Sequence, residues 1–533
     1  MKPFSYSIPV LIILVITVIS ATIWIASSEN NVSQQNLHKS EYSDLSELEL
    51  TLRSRIETEP GSDIWHTIQH RERWNPKQTA VIITDMWDRH WCESATERVS
   101  EIAPAMNDVV NNLRNRGALI IHTPSGTLDT YKETEQRQRA INTPYHEAPE
   151  GIDINAWCYL DPEMETDLPI DDSDEGCDKP CSDGLACTPH QAWSSQIDTI
   201  EIHEQDAISD TGQEVYNLII ENGIENIIVM GVHTNMCVLG RSFAIRQMVN
   251  LGKNVVLMRD MTDSMYNPGM PPYVTHFRGT ELVVEHIEKY WAPTIVSSDI
   301  TGKPAFRFAE DERTHIAFLI AEDEYDAHLT LPLFAEKHLS TGGHYGFNFI
   351  QSDHHEVDGM DQIRDSDLLI VYVRRRHLPE NQLDVIREYL NAGKPLIALR
   401  TSSHAFETWT EFDDKVLGGN YSGHHGNRPP ENPPTWVQVA VEASAHPVVA
   451  GLPALPFQAA SWLYKTRPLN SDVTPLVYGW VGADGEPEPV AWIRQYGDAR
   501  IFYTSMGDPR DFEIPAFNQL LVNAIEWSTG ENP

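Results

Sequence analysis

Gly231-Val-His-Thr-Asn-Met-Cys-Val238 follows the apolar run Ile227-Ile-Val-Met230 and precedes Val238–Met248, whose apolar residues recur at helical spacing. A short apolar run bounded by a turn reads as a buried parallel strand, and the segment Val238–Met248 reads as an amphipathic helix. Cys237 is therefore expected at the helix N-terminus, where the dipole favours a thiolate and where activated nucleophiles stand. Upstream, Thr79-Ala-Val-Ile-Ile-Thr84 is a second buried strand, and it ends in Asp85. Ligands of open α/β sheets bind beyond the carboxyl ends of the strands, so Asp85 becomes the candidate base for Cys237.

The octapeptide and Thr79-Ala-Val-Ile-Ile-Thr-Asp85-Met-Trp resemble the two signatures of the isochorismatase-like cysteine hydrolases, over roughly residues 75–295. The resemblance implies that Asp85 takes the thiol proton and Cys237 attacks an amide carbonyl. The protonated acid then serves the departing nitrogen, and water releases a thioester. It also implies an oxyanion hole from the backbone amides of His233 and Cys237, with a cis peptide at Val232-His233. The family's third member is a lysine, and counting back from Gly223 puts its place at His203 or Glu204. His203 is thus the expected third catalytic residue. His90, His122 and Arg241 are expected to bind substrate, Arg241 because it lies one helical turn after Cys237. The Asp-x-His pattern by which nicotinamidases of the family hold a metal is replaced by Ile121-His-Thr-Pro-Ser-Gly126. No cofactor is expected to be required, and the metal question stays open.

A chain of 533 residues exceeds one ordinary core and fits two domains with extensions. Its 78 acidic against 39 basic residues give a formal charge of −39, a field that repels nucleic acid and anionic lipid. Residues 1–28 hold the uncharged run Ile8–Ala26 after Lys2, which reads either as a signal peptide or as a membrane anchor. Both export the rest of the chain, to the periplasm or the medium. Residues 29–60 read as an acidic linker, 61–297 as the first domain, and 298–312 as a second linker.

Within the first domain, the insertion 157–193 is rich in Asp and Gly and gathers Cys158, Cys177, Cys181 and Cys187. In an exported chain two disulfides among these four are the economical account, leaving Cys92 unpaired; zinc and a calcium site at Asp171–Asp178 are the rivals. The insertion is expected to close over the site or to touch a second copy in a homo-oligomer.

Residues 313–533 repeat the alternation. His315–Ala321, Asp367–Val373 and Pro395–Arg400 read as strands, and Glu380–Ala392 as a helix between them. The fold class expected is therefore α/β, with two doubly wound three-layer αβα domains of mainly parallel strands behind an N-terminal hydrophobic segment. This half resembles the ThuA-like (trehalose utilisation) family, of the class I glutamine amidotransferase fold. The resemblance rests on Leu399-Arg-Thr-Ser-Ser-His404, Gly418-Gly-Asn-Tyr-Ser-Gly-His-His425, Val437–Val441 with His446-Pro, and Arg500–Gly507. Where that fold carries a nucleophilic cysteine this chain has Arg400-Thr-Ser-Ser-His404, and no cysteine lies in this half. His404 and His425 are expected to line a pocket for a carbohydrate.

The function expected is an exported cysteine hydrolase acting on a small amide-like C–N bond. The alternative is a pseudo-enzyme or carbohydrate-binding protein that keeps both folds without a complete triad.

Overall fold

The computed structural model describes residues 47–57, 61, 65–179, 192–340, 342–352, 354–428 and 432–531. The apolar run 8–26, Cys181 and Cys187 lie outside the described residues. Among the described residues no helix is long and apolar enough to cross a membrane.

The first sheet contains β1 (Leu48–Glu57), β2 (Trp65–Trp74), β3 (Thr79–Thr84), β4 (Leu119–Thr123), β5 (Ala207–Ile208), β6 (Asn226–Val232), β7 (Asn254–Asp263) and β8 (Thr294–Ile295). Its order is β2-β1-β8-β7-β6-β3-β4-β5. From β8 to β5 every pairing is parallel, while the hairpin β1–β2 joins β8 antiparallel at Arg53–Thr294. Alternation divides each inner strand between two cores. Val81 and Ile83 pack with Val99, Ile102 and Met106 of the helix Glu93–Arg116, and Ala80 and Ile82 pack with Val215 and Ile219 of the helix Gly212–Glu221. Burial on both faces is why β3 and β6 read as continuous apolar runs.

The second sheet contains β9 (Thr314–Ala321), β10 (Tyr345–Gln351), β11 (Leu368–Val373), β12 (Leu396–Leu399), β13 (Thr435–Val439), β14 (Phe457–Ala459), β15 (Thr474–Val481), β16 (Glu488–Tyr496) and β17 (Ala499–Thr504), in the order β10-β9-β11-β12-β17-β16-β15-β13-β14. β10 through β17 run parallel, and β16, β15, β13 and β14 extend the sheet antiparallel. The strands are thus largely parallel, with more antiparallel pairing here than the alternation of strands and helices predicts.

Four expectations are corrected. The stretch read as a linker to residue 60 holds β1, because Leu48, Leu50 and Leu52 form an every-second-residue apolar face that packs on the first core. The stretch 298–312 is not free either: Phe306 and Phe308 pack on the same core, and the Phe306 amide donates to Asp260 at 3.0 Å. Cys92 is paired, with Cys177, while Cys158 has no disulfide partner among the described residues and lies 3.3 Å from the Gln247 amide oxygen. The run Val238–Met248 is not one helix. It divides into Cys237–Gly240 and Ile245–Asn250, because Arg241 takes an extended conformation with ψ 152°.

The hairpin also ties the two sheets into a single compact unit. The Gln69 side chain donates to the Phe349 carbonyl and Arg53 to Asn348, both at 3.4 Å, and Arg53 is ion-paired with buried Glu288 at 2.7 Å.

Candidate active site

β3 and β6 are neighbours, and their carboxyl ends carry the two signature motifs side by side. Gly231 has φ +113°, and a side chain there would overlap the Thr84 carbonyl. Only glycine lets β6 approach the end of β3 this closely. Asp85 is also left-handed, with φ +50°, a conformation aspartate tolerates better than most residues. Its amide donates to Thr123 at 3.2 Å, so the turn is anchored on β4. Beyond Gly231 the Val232–His233 peptide is cis, as the resemblance implies. Asn235 then braces the turn, its side chain exchanging hydrogen bonds with the Met265 backbone at 2.9 and 3.0 Å. Cys237 opens the short helix Cys237–Gly240, and the N–H groups of a first turn have no partner within the helix.

The Asp85 carboxylate is fully buried. One oxygen accepts the Ser125 amide at 2.8 Å, and the other faces the Arg241 guanidinium, whose Nε and Nη2 both stand at 3.3 Å. The Cys237 thiol adjoins both groups. Burial raises the Asp85 pKa above the ordinary carboxylate range, and Arg241 works against it. Burial likewise pushes the Cys237 thiol up, and the neighbouring Asp85 charge adds to the rise. Burial tends to lower the Arg241 pKa, but Asp85 and Cys237 outweigh it and the guanidinium is held charged. The environment therefore favours the neutral thiol beside the Asp85–Arg241 ion pair. A thiolate preformed by the helix dipole, as the sequence suggests, is not what this environment favours, because desolvation outweighs a helix of one turn.

Arg241, expected to bind substrate, stands in the site with its guanidinium on Asp85. His203 does not enter the site. Its side chain is 43% exposed, its ring lies 3.4 Å from Glu201, and its amide donates to Asp206 at 2.8 Å. His122 is also structural. Both ring nitrogens are engaged, Nδ1 with Gln196 at 2.9 Å and Nε2 with Asp206 at 3.1 Å. Asp206 is further held by Arg114, and these partners overcome burial to bring its pKa to about 2. His90 stays at the site's edge, buried, with Nδ1 accepting the Cys92 amide at 3.1 Å and its ring 4.9 Å from that of His233.

Three indoles gather near His90 and Arg241, and two of them, Trp157 and Trp193, lie outside the signature motifs. Trp87 and Trp193 stack at 4.1 Å, and Trp193 also stacks on His90 at 5.6 Å. Trp157 lies against Gly240, where a side chain would meet its indole, and the Arg241 guanidinium stands 5.4 Å from the ring centre. Trp157 and Trp193 belong to the two ends of the insertion, which is the sequence signal that could have found them. The insertion's acidic loop is spent on local bonds: Asp172 accepts from Asn235 at 2.8 Å, Asp174 from Asn267 at 2.8 Å, and Asp178 is ion-paired with Arg98 at 3.1 Å. Among the described residues no group of three or more His, Cys, Asp or Glu side chains could hold a metal ion.

In the second half, Arg400 follows β12 with φ +44°, at the turn where the amidotransferase fold would place its nucleophile. His404 bonds to Ser403 at 3.1 Å and stacks on Tyr421 at 4.4 Å. His425 instead turns to Glu488 at 3.3 Å, so the two histidines share no partner.

Residues 79–269 match the isochorismatase domain model, and residues 320–528 match the ThuA model, trehalose utilisation. The chain joins an isochorismatase domain to a ThuA domain. Among solved structures, a ThuA-like protein from Bacteroides uniformis is 21% identical, with 43% of this chain and 97% of that chain covered and a TM-score of 0.34. A cysteine hydrolase from Pseudomonas syringae pv. phaseolicola is 16% identical, covering 43% and 93% with a TM-score of 0.27. N-carbamoylsarcosine amidase from Thermoplasma acidophilum is 10% identical, covering 35% and 83% with a TM-score of 0.20. No curated protein matches the chain. The match to the isochorismatase domain supports a hydrolase-like function.

Proposed function

We propose that the isochorismatase domain hydrolyses a small amide-like C–N bond through a thioester on Cys237, with Arg241 supplying the cation that the family takes from a lysine. The observation that carries this reading is the ion pair at 3.3 Å between Arg241, which follows the short helix Cys237–Gly240, and buried Asp85, which follows strand β3. In the first half-reaction Asp85 accepts the thiol proton as sulfur bonds to the carbonyl carbon, and the N–H groups of His233 and Cys237 receive the oxyanion. The C–N bond then breaks, and protonated Asp85 gives its proton to the departing nitrogen. In the second half-reaction Asp85 deprotonates a water that attacks the thioester, and the proton returns to the sulfur as the carboxylic acid leaves. The raised pKa of Asp85 suits a group that must hold the thiol proton from the attack on the carbonyl until the C–N bond breaks. Arg241 keeps the carboxylate charged and placed in the resting state.

The apolar run 8–26 and the Cys92–Cys177 disulfide support export of the catalytic domain. Whether that run is cleaved or retained as an anchor is decided by the N-terminal residue of the mature protein. The test of activity is turnover of a panel of primary carboxamides and N-carbamoyl amines by the full chain. At least one should be hydrolysed by the wild type, with Cys237→Ser and Asp85→Asn inactive. Equal turnover by Cys237→Ser would overturn the reading.

A further inference from the structure

The second sheet has its own point of reversal. From β9 the order runs to β10 on one side and to β11 and β12 on the other. In doubly wound sheets the ligand crevice opens there, beyond the carboxyl ends of the strands. Three loops meet at this edge: 322–326 after β9, 374–377 after β11, and 400–404 after β12.

Arg400 is fully buried, and among the described residues its guanidinium has no carboxylate within ion-pair distance. It donates to the Ser505 carbonyl at 2.9 Å and the Tyr325 hydroxyl at 3.0 Å, and its Nε has no acceptor. The rings of Tyr325 and Tyr464 lie 4.2 and 4.9 Å from its central carbon. The carboxylates that bear on this cluster are spent on other donors. Glu322 accepts the amides of Glu324, Tyr325 and Ala327 at 2.7 to 2.9 Å, and Asp511 accepts the Ser461 hydroxyl at 2.5 Å and the Gly507 amide at 2.9 Å. Asp413 accepts the Tyr421 amide at 2.7 Å. Arg374 is ion-paired with Glu324 at 2.7 Å. Arg375 is exposed and left-handed, with φ +49°; its amide donates to the His404 carbonyl at 3.0 Å, and its guanidinium has no ion pair among the described residues. His404 is held neutral, with a pKa of about 3, by burial and by Arg375, Arg374 and Arg400. The loop 322–326 carries four carboxylates, of which Glu324 pairs Arg374 and Asp323 pairs Arg376 at 3.5 Å, so that Arg375 and Arg400 are the two guanidiniums of this edge left without an ion pair among the described residues. Beside it stands an aromatic wall, His404 stacked on Tyr421 at 4.4 Å and Tyr421 tilted against Tyr464 at 4.7 Å.

We propose that this crevice binds a small carboxylate-bearing ring compound, with Arg375 contacting the carboxylate, Arg400 as the buried charge behind it, and Tyr421 packing on the ring. A guanidinium recognises a carboxylate with paired donors, and an aromatic face packs on a ring. Arg375, not His425, is then the residue that selects the ligand. The site does not depend on the chemistry at Cys237.

The test is calorimetric titration of the full chain with D-glucuronate, D-glucose and inorganic phosphate. Glucuronate should bind saturably, at least tenfold more tightly than either glucose or phosphate. Arg375→Ala should weaken glucuronate at least tenfold, its exposed side chain leaving the melting temperature in place, and Cys237→Ser should bind as the wild type does. Glucose binding as tightly as glucuronate would overturn the anionic ligand. Phosphate binding as tightly would overturn the ring contact. Unchanged affinity in Arg375→Ala, or the absence of saturable glucuronate binding, would overturn the site.

Discussion

Arg241 reaches Asp85 because the chain leaves the helix at Gly240 and turns the guanidinium back over Trp157. Arg241→Ala should therefore lower kcat/KM by roughly 10²-fold or more, the scale on which a misplaced proton-transfer group costs an enzyme. Arg241→Lys should retain measurable turnover, because an ammonium keeps the charge but not the paired donors. An intact rate in Arg241→Ala would return Arg241 to a purely structural place. The acidity of Asp85 makes a second prediction. Its raised pKa means that the base is lost, as pH falls, above the ordinary carboxylate value of about 4. The acid limb of the kcat/KM profile should lie above that value, and a limb at or below it would contradict Asp85 as the base. Asp85 and Cys237 are legible in the sequence because each sits within a few residues of a strand end, so local pattern places it. His203 is misplaced by sequence because counting along the chain assumes that the segment before Gly223 keeps the family's length. The third charge comes instead from beyond the cysteine, across space, and the indoles of Trp157 and Trp193 are equally non-local.

At the scale of elements, the juxtaposition of β3 and β6 depends on one glycine. Gly231→Ala combines a left-handed φ with overlap on the Thr84 carbonyl, whereas Gly223, with φ +63°, faces open space. Backbone strain alone costs about 1–3 kcal/mol, so Gly223→Ala should show a cost of that order and Gly231→Ala a larger one. Chemical denaturation measures both, and equal costs would contradict the close approach. The Cys92–Cys177 bridge ties the insertion to the start of the helix Glu93–Arg116 across 85 residues of sequence. Replacing both cysteines by alanine should cost about 2–4 kcal/mol. That pairing is not legible in sequence, because clustering favours the near neighbours and only the fold brings Cys92 to the insertion. β1 escapes for a related reason, since three leucines at alternate positions bury one face without forming an apolar run. The strands β3, β6, β9, β11 and β12 are legible because burial on both faces writes a continuous apolar run.

Across the whole molecule, two α/β domains share the hairpin β1–β2 and present their sheet edges as separate sites. The chain holds 78 acidic against 39 basic residues, yet each of its two proposed sites centres on arginine, Arg241 in one and Arg400 with Arg375 in the other. Buried carboxylates add a pH dependence to folding. Burial raises the pKa of Asp413 to about 7, with Asp414 adding to the rise, and its Oδ1 has no partner. The folded state therefore favours the protonated form. The stability this contributes is full below the unfolded carboxylate pKa and is lost as pH rises through about 7. Asp413→Asn should leave the melting temperature little changed at acid pH and raise it above neutrality, and the opposite trend would contradict the assignment.

In the proposed reaction Cys237 forms a covalent intermediate beside Asp85 and Arg241. Acid-quenched mass spectrometry of the full chain during turnover of the best amide substrate tests it most directly. An acyl adduct is expected on the peptide carrying Cys237, disappearing when the substrate is exhausted and absent in Asp85→Asn. Turnover with no adduct on Cys237, and at an undiminished rate in Cys237→Ser, would contradict it.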